Sequence, residues 1–120
     1  MQSEGKLGRV TVAPEVLLTI IQKTVLDVDG VAGLYSTWPE NIGKLLGIRS
    51  VAEGLAVEVE GDTLVVDVHV VAGAQAQMLQ LGRAIQDAIR RAIEDLVGLS
   101  VKAVNVHIED VELETEPESR

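Results

Sequence analysis

Two histidines, His69 and His107, carry most of the reactive chemistry in a chain that contains no cysteine. Each sits in a run where apolar and polar residues alternate. In one run Leu64, Val66, Val68 and Val70 alternate with Val65, Asp67, His69 and Val71. In the other, Val104, Val106 and Ile108 alternate with Asn105, His107 and Glu109. A period of two means strands, with both histidines on the face turned away from the core, in the company of Asp67, Glu58, Asn105 and Glu109. If the strands are neighbours, two imidazoles and the Asp67 carboxylate could approach a divalent ion, so His69, His107 and Asp67 are the metal candidates. The competing reading needs no ligand: a sheet covered on one side carries polar residues on its free side, and a metal site needs supporting partners that a sequence does not display. Neither histidine has a cleft-forming loop near it in the chain, which argues against general acid–base work. No catalytic residue, resident metal or cofactor is expected.

Other reactive motifs are missing. The segment "IGKLLG" pairs Gly43 with Lys44 but lacks the glycine loop before it and the hydroxyl after it that cradle a phosphate. There is no GxGxxG, and none of Ser3, Ser36, Ser50, Ser100 or Ser119 stands in a GxSxG elbow. Without cysteine there are no disulfides, thiolate sites or thiol nucleophiles, which fits a reducing compartment.

The elements that position the histidines follow from spacing. "GRVTVA" alternates, with Val10 and Val12 on one side, and predicts a short half-buried strand. Pro14 and Glu15 suit the first turn of a helix, continued by Val16, Leu17, Ile20, Ile21, Thr24, Val25 and Val28 and closed by Gly30 and Gly33. "GLAVEVEGDTLVVDVHVVAG" predicts a hairpin, two alternating runs around Gly61-Asp62. A second helix follows, with Leu81, Ile85, Ala88, Ile89, Ala92, Ile93 and Leu96 as its apolar stripe. Asp87–Arg91, Arg91–Asp95 and Arg90–Glu94 are at i,i+4 on the other side, and Gly98 is its cap. "VKAVNVHIEDVEL" is the last strand. The order β-α-β-β-α-β predicts an α/β two-layer sandwich, with two helices packed on one face of a four-stranded, ferredoxin-like sheet. Residues 1–7 are expected as a flexible lead, 8–111 as a single domain and 112–120 as an acidic tail.

Bulk composition narrows the functions further. A chain of 120 residues with 47% apolar content can bury a core unaided. The net charge is −9. Residues 109–120 carry six acids and one arginine, leaving thirteen acids and nine bases in residues 1–108. With no basic cluster beyond Arg90-Arg91, and no stacking aromatics on the expected sheet, nucleic acid is not an expected partner. The N-terminus has no apolar run of the signal-peptide kind, and no stretch reaches the 18 or so apolar residues of a membrane span. The expected free face mixes Thr11, Ala56, Val65, Val71 and Ala103 with its polar residues, which suits either solvent or a second copy or partner. The only tryptophan, Trp38, lies in "STWPENIGKLLG". There Trp38, Lys44, Leu45 and Leu46, with Arg49 just beyond, either cover the open end of the core or form an exposed interaction patch. A connection of that length is longer than usual, and Trp38 is expected as a partly exposed ring at the rim.

Five segments in order, "GRVTVAPEV", "DVDGVAGL", "IGKLLG", "GLAVEVEGDTLVVDVHVV" and "VGLSVKAVNVHIEDV", resemble the alkaline shock protein (Gls-type) family of bacterial envelope-stress proteins over about residues 5–111. The resemblance implies a small cytoplasmic, non-enzymatic protein of envelope homeostasis. It also implies self-association into a homo-oligomer and a protein partner, membrane-anchored in some members, that holds the chain at the inner face of the membrane. It brings no catalytic residues. An acidic chain would be repelled by an anionic leaflet, so a place at the envelope requires such a tether.

Overall fold

The expected hairpin is the centre of the molecule. The computed structural model describes residues 2–36 and 49–113. Strands β5 (Leu55–Glu60) and β6 (Thr63–Gly73) pair antiparallel from Leu55 opposite Val68 to Glu60 opposite Thr63. Gly61 makes the two-residue turn at φ +65°, while no other residue type described takes a positive φ. A positive φ at the first central position alone is the type II′ pattern, whose twist matches that of the strands.

β6 is the hub. On one edge it pairs in parallel with β7 (Ser100–Glu112) along its whole length. On the other edge it pairs first with β5 and then, end to end, with β3 (Val31–Leu34). β4 (Arg49–Ala52) lines the outside of β5. Helix α1 (Pro14–Leu26) and helix α2 (Met78–Ala92) both cover one face. The two-layer sandwich expected from the sequence is therefore the observed one, with five strands rather than four in the sheet.

Side-chain alternation decides which face is covered. Leu64, Val66, Val68, Val70 and Ala72 of β6 point to the helices and are fully buried. They meet Leu17, Ile21 and Val25 of α1 and Leu81, Ile85 and Ile89 of α2 in one core. Each such burial contributes roughly 1.5–3 kcal/mol for the larger aliphatics, which is why propensity alone does not have to hold these helices. Gln77 caps α2, its side-chain oxygen accepting from the Gln80 N–H at 2.8 Å.

Three local readings change. "GRVT" does form a strand, β2 (Gly8–Thr11), but it pairs with β1 (Gln2–Gly5) in a separate hairpin and is exposed throughout. Val10 is therefore exposed and only Val12 packs against the core. Leu96 leaves the apolar stripe because the helix widens into a π turn over Ile93–Val97, closed by Gly98 N–H donating to Ile93 O at 3.0 Å. The wider turn rotates Leu96 into solvent. Val16, at the start of the α1 stripe, is exposed as well.

Candidate functional site

The parallel register of β6 and β7 builds the open face of the sheet. It sets Asp67 beside Asn105 and His69 beside His107. In-register parallel strands hold like residues at the same height, so the two imidazoles stack, centroids 4.5 Å apart and 14° from parallel. A β-bulge after Ile108 then delivers Glu109 to His69. The Glu109 carboxylate accepts from His69 Nδ1 at 2.7 Å, which places the proton on that nitrogen. At the other end Asn105 Nδ2 donates to Asp67 Oδ1 at 3.0 Å, and His107 Nε2 stands 3.7 Å from the same oxygen, an ion-pair distance beyond hydrogen-bond reach. The result is a row, Asn105–Asp67–His107–His69–Glu109, across two strands. His69 is the sheltered member at 15% side-chain exposure, against 47% for His107.

His69 is sheltered because its backbone sits at the seam where β5 stops and β3 begins. Its N–H donates to Gly54 O at 2.8 Å, and its carbonyl accepts from Tyr35 N–H at 2.9 Å. Gly54 has φ +72°, and a Cβ there would stand 3.0–3.1 Å from Leu34 Cβ, His69 O and Tyr35 O. No other residue fits that crossing without displacing backbone. Gly54 and Tyr35 are the site residues that sequence reading missed. The glycine ahead of an alternating run is a strand boundary in sequence, and nothing in it announces a neighbour from another strand.

The three metal candidates, His69, His107 and Asp67, are thus brought together, but as partners of one another. Among the described residues no group of three or more ligating side chains is arranged around a common point. The Nδ1 of His69 is committed to Glu109, and the stacked rings present faces, not lone pairs, to each other. The arrangement suits hydrogen bonding and stacking within the row more than chelation. Around it lie the half-buried Val51, Val65, Val71 and Ala103. Of the other residues expected on this face, Thr11 lies instead in the β1–β2 hairpin, while Ala56 does lie on it, between Val51 and Asp67 in the register, and is fully buried there. Of the interaction patch expected at Trp38, Lys44, Leu45, Leu46 and Arg49, the first four lie outside the described residues. Arg49 opens β4 at the register position opposite Glu58. A groove of about 590 Å³ lies elsewhere, at the end of β6 against the start of α2, floored by Gly30, Gly73 and Leu81 and rimmed by Asp29, Gln77 and Gln80.

A sequence profile of the alkaline shock protein 23 family, described as having a cell envelope-related function, matches residues 2–113. The chain belongs to this alkaline shock protein family. That agrees with the resemblance to Gls-type proteins read from its five segments. The Bacillus subtilis protein YqhY is 27% identical over 109 residues, covering 91% of this chain and 81% of YqhY. A Streptococcus pyogenes protein named as a stress response regulator gls24 homolog is 28% identical over 105 residues. The match covers 87% of this chain and 59% of that longer protein. Among solved structures, MamM CTD is similar at TM-score 0.51 and 15% identity, over 82% of this chain and 99% of that domain. This last likeness shows a shared fold. Among the described residues no helix is long and apolar enough to cross a membrane.

Proposed function

We propose that this alkaline shock family chain is a non-enzymatic interaction and scaffold protein of cell-envelope stress homeostasis. In this reading it self-associates in the cytoplasm and is held at the inner face of the membrane by a protein partner. The observation that carries the reading is the open sheet face, where the polar side chains are already paired with one another. Asp67 with Asn105, and His69 with Glu109, are hydrogen-bonded to each other within the chain. Covering such a face strips less solvation than covering free charges, and Val51, Val65, Val71 and Ala103 between the pairs supply apolar area to a partner. The stress role is further supported by the name of the gls24 homolog. The tether is supported by the net charge of −9, which an anionic leaflet repels.

The loop patch of Trp38, Lys44, Leu45, Leu46 and Arg49 belongs to the same reading, as a second contact in addition to the open face. Crosslinking in cells followed by membrane fractionation tests it, with light scattering on the pure chain for self-association. The expected result is a crosslinked membrane-associated pool that shrinks in Trp38→Ala and Leu45→Glu. A chain that scatters as a monomer and never fractionates with membranes would contradict the proposal.

A further inference from the structure

β7 is thirteen residues long, about twice the usual strand, and pairs with β6 on one side only. Among the described residues no second strand pairs with its other edge. Long open edges invite another strand and are normally blunted. We propose that β7 pairs antiparallel with β7 of a second copy, about a two-fold axis at Val106, so that one sheet runs through both chains. The inference rests on the self-association just proposed and names its surface and register.

The register follows from the faces of β7. Val104, Val106 and Ile108 lie opposite Val66, Val68 and Val70 on the helix-covered side, and Ala103, Asn105 and His107 lie on the open side. A bulge at each end, at Lys102 and at Glu109, reverses the alternation. Val101 and Val111 therefore land on the helix-covered side together, opposite Leu64 and Ala72. Antiparallel partners must share a face. An axis at Val106 meets this throughout: Val106 faces its own copy, Val104 faces Ile108, Val101 faces Val111 and Asn105 faces His107. It also sets Lys102 opposite Asp110 twice, once on each side of the axis. An axis at Asn105 sets Lys102 against Ile108, and one at His107 sets Val104 against Asp110. Only the axis at Val106 is complementary in both charge and polarity.

The groups concerned are free to make the exchange. Val101, Val106, Ile108 and Val111 are half-exposed, apolar area that a second copy would cover. Lys102 now holds Glu60 at 3.2 Å, with its side chain 64% exposed, a surface pair weak enough to be shared or traded. Gln86 donates to the Val104 carbonyl at 3.0 Å, and that oxygen has a second lone pair for a strand N–H. Edge pairing leaves the open face uncovered. It sets two copies of the row from Asn105 to Glu109 side by side, which doubles the surface offered to a partner and strengthens its grip by avidity.

The absence of cysteine makes the test clean, since each introduced thiol is unique. Directly opposed strand residues have Cα atoms within about 4.5–5.5 Å, inside disulfide range. Val106→Cys alone should therefore oxidise to a covalent dimer. Val104→Cys should not do so alone, but should when mixed with Ile108→Cys. In sedimentation, Lys102→Asp and Asp110→Lys should each weaken self-association, by roughly tenfold or more, because each sets two like-charged pairs across the axis. An equimolar mixture of the two should recover it, since every pair is again opposite. If the unmodified chain associates but Val106→Cys stays uncrosslinked and the mixture behaves like the single variants, the copies meet elsewhere: self-association survives and the β7 axis is wrong. If the unmodified chain is a monomer at every concentration, both fall.

Discussion

The two faces of β6 are made of alternate residues of the same eleven-residue strand and have opposite character. Toward the helices, Leu64, Val66, Val68, Val70 and Ala72 are entirely dry. Toward the open side, Thr63, Val65, Asp67, His69 and Val71 are all half-buried; Asp67 and His69 are held by Asn105 and Glu109 of β7, and Thr63 donates to the Glu60 carbonyl of β5. One face is fixed by exclusion of water, the other by pairing that a partner can cover. In the proposed reading, stability and recognition fall on opposite sides of a sheet one residue thick, and substitutions should separate them.

The largest effect is expected on the dry face. Leu64→Ala should cost about 2–5 kcal/mol of unfolding free energy, because the cavity cannot collapse between two helices and a sheet. Val65→Ala, the next residue, should cost less than about 1 kcal/mol, since it leaves no enclosed cavity. Denaturant titration of the pair reads the contrast directly, and equal losses would mean that the open face is not open.

Gly54→Val comes next, at about 1–3 kcal/mol, from a positive φ combined with contacts to Leu34, Tyr35 and His69 that a Cβ would crowd. Its signature is local: NMR should show His69 and Tyr35 moving while the α2 core stays in place. Below that, His69→Ala should cost about 1 kcal/mol for the lost bond to Glu109, and His107→Ala less, because His107 is more exposed and has only the longer contact to Asp67. A reversed order of the two would break the account of the row.

Much of this was legible beforehand, for a physical reason. Period-two alternation over Leu55–Val70 and the i,i+4 stripe of Leu81, Ile85 and Ile89 are local consequences of burial on one side, so fold class and open face could be read from them. β3, with Gly33 in a run of four, and β4, a run of four just after a Gly- and Leu-rich segment, are too short to show a period. β2 alternates like a core strand, yet its partner is β1, and alternation does not say what a strand pairs with. For the same reason the histidines could be placed on one face but not stacked: the match of His69 to His107 depends on the β6–β7 register, where paired residues such as Asp67 and Asn105 lie 38 positions apart. The π turn that expels Leu96 leaves no mark in composition.

Trp38, the only tryptophan, gives a small and independent check on the loop patch. As a partly exposed ring its emission should lie between the buried and fully hydrated ranges and respond to a soluble quencher. A blue, quencher-resistant emission would make it part of the core.

The central claim, that the open face exists to be covered by protein, is tested most directly by charging it without touching the core. In cells carrying Val65→Lys together with Val71→Lys, the share of the chain recovered with membranes should fall several-fold. The thermal midpoint of the purified variant should stay within a few degrees of the parent, as expected for surface changes of about 0.5 kcal/mol each. Unchanged membrane recovery in a variant that folds normally would contradict the claim.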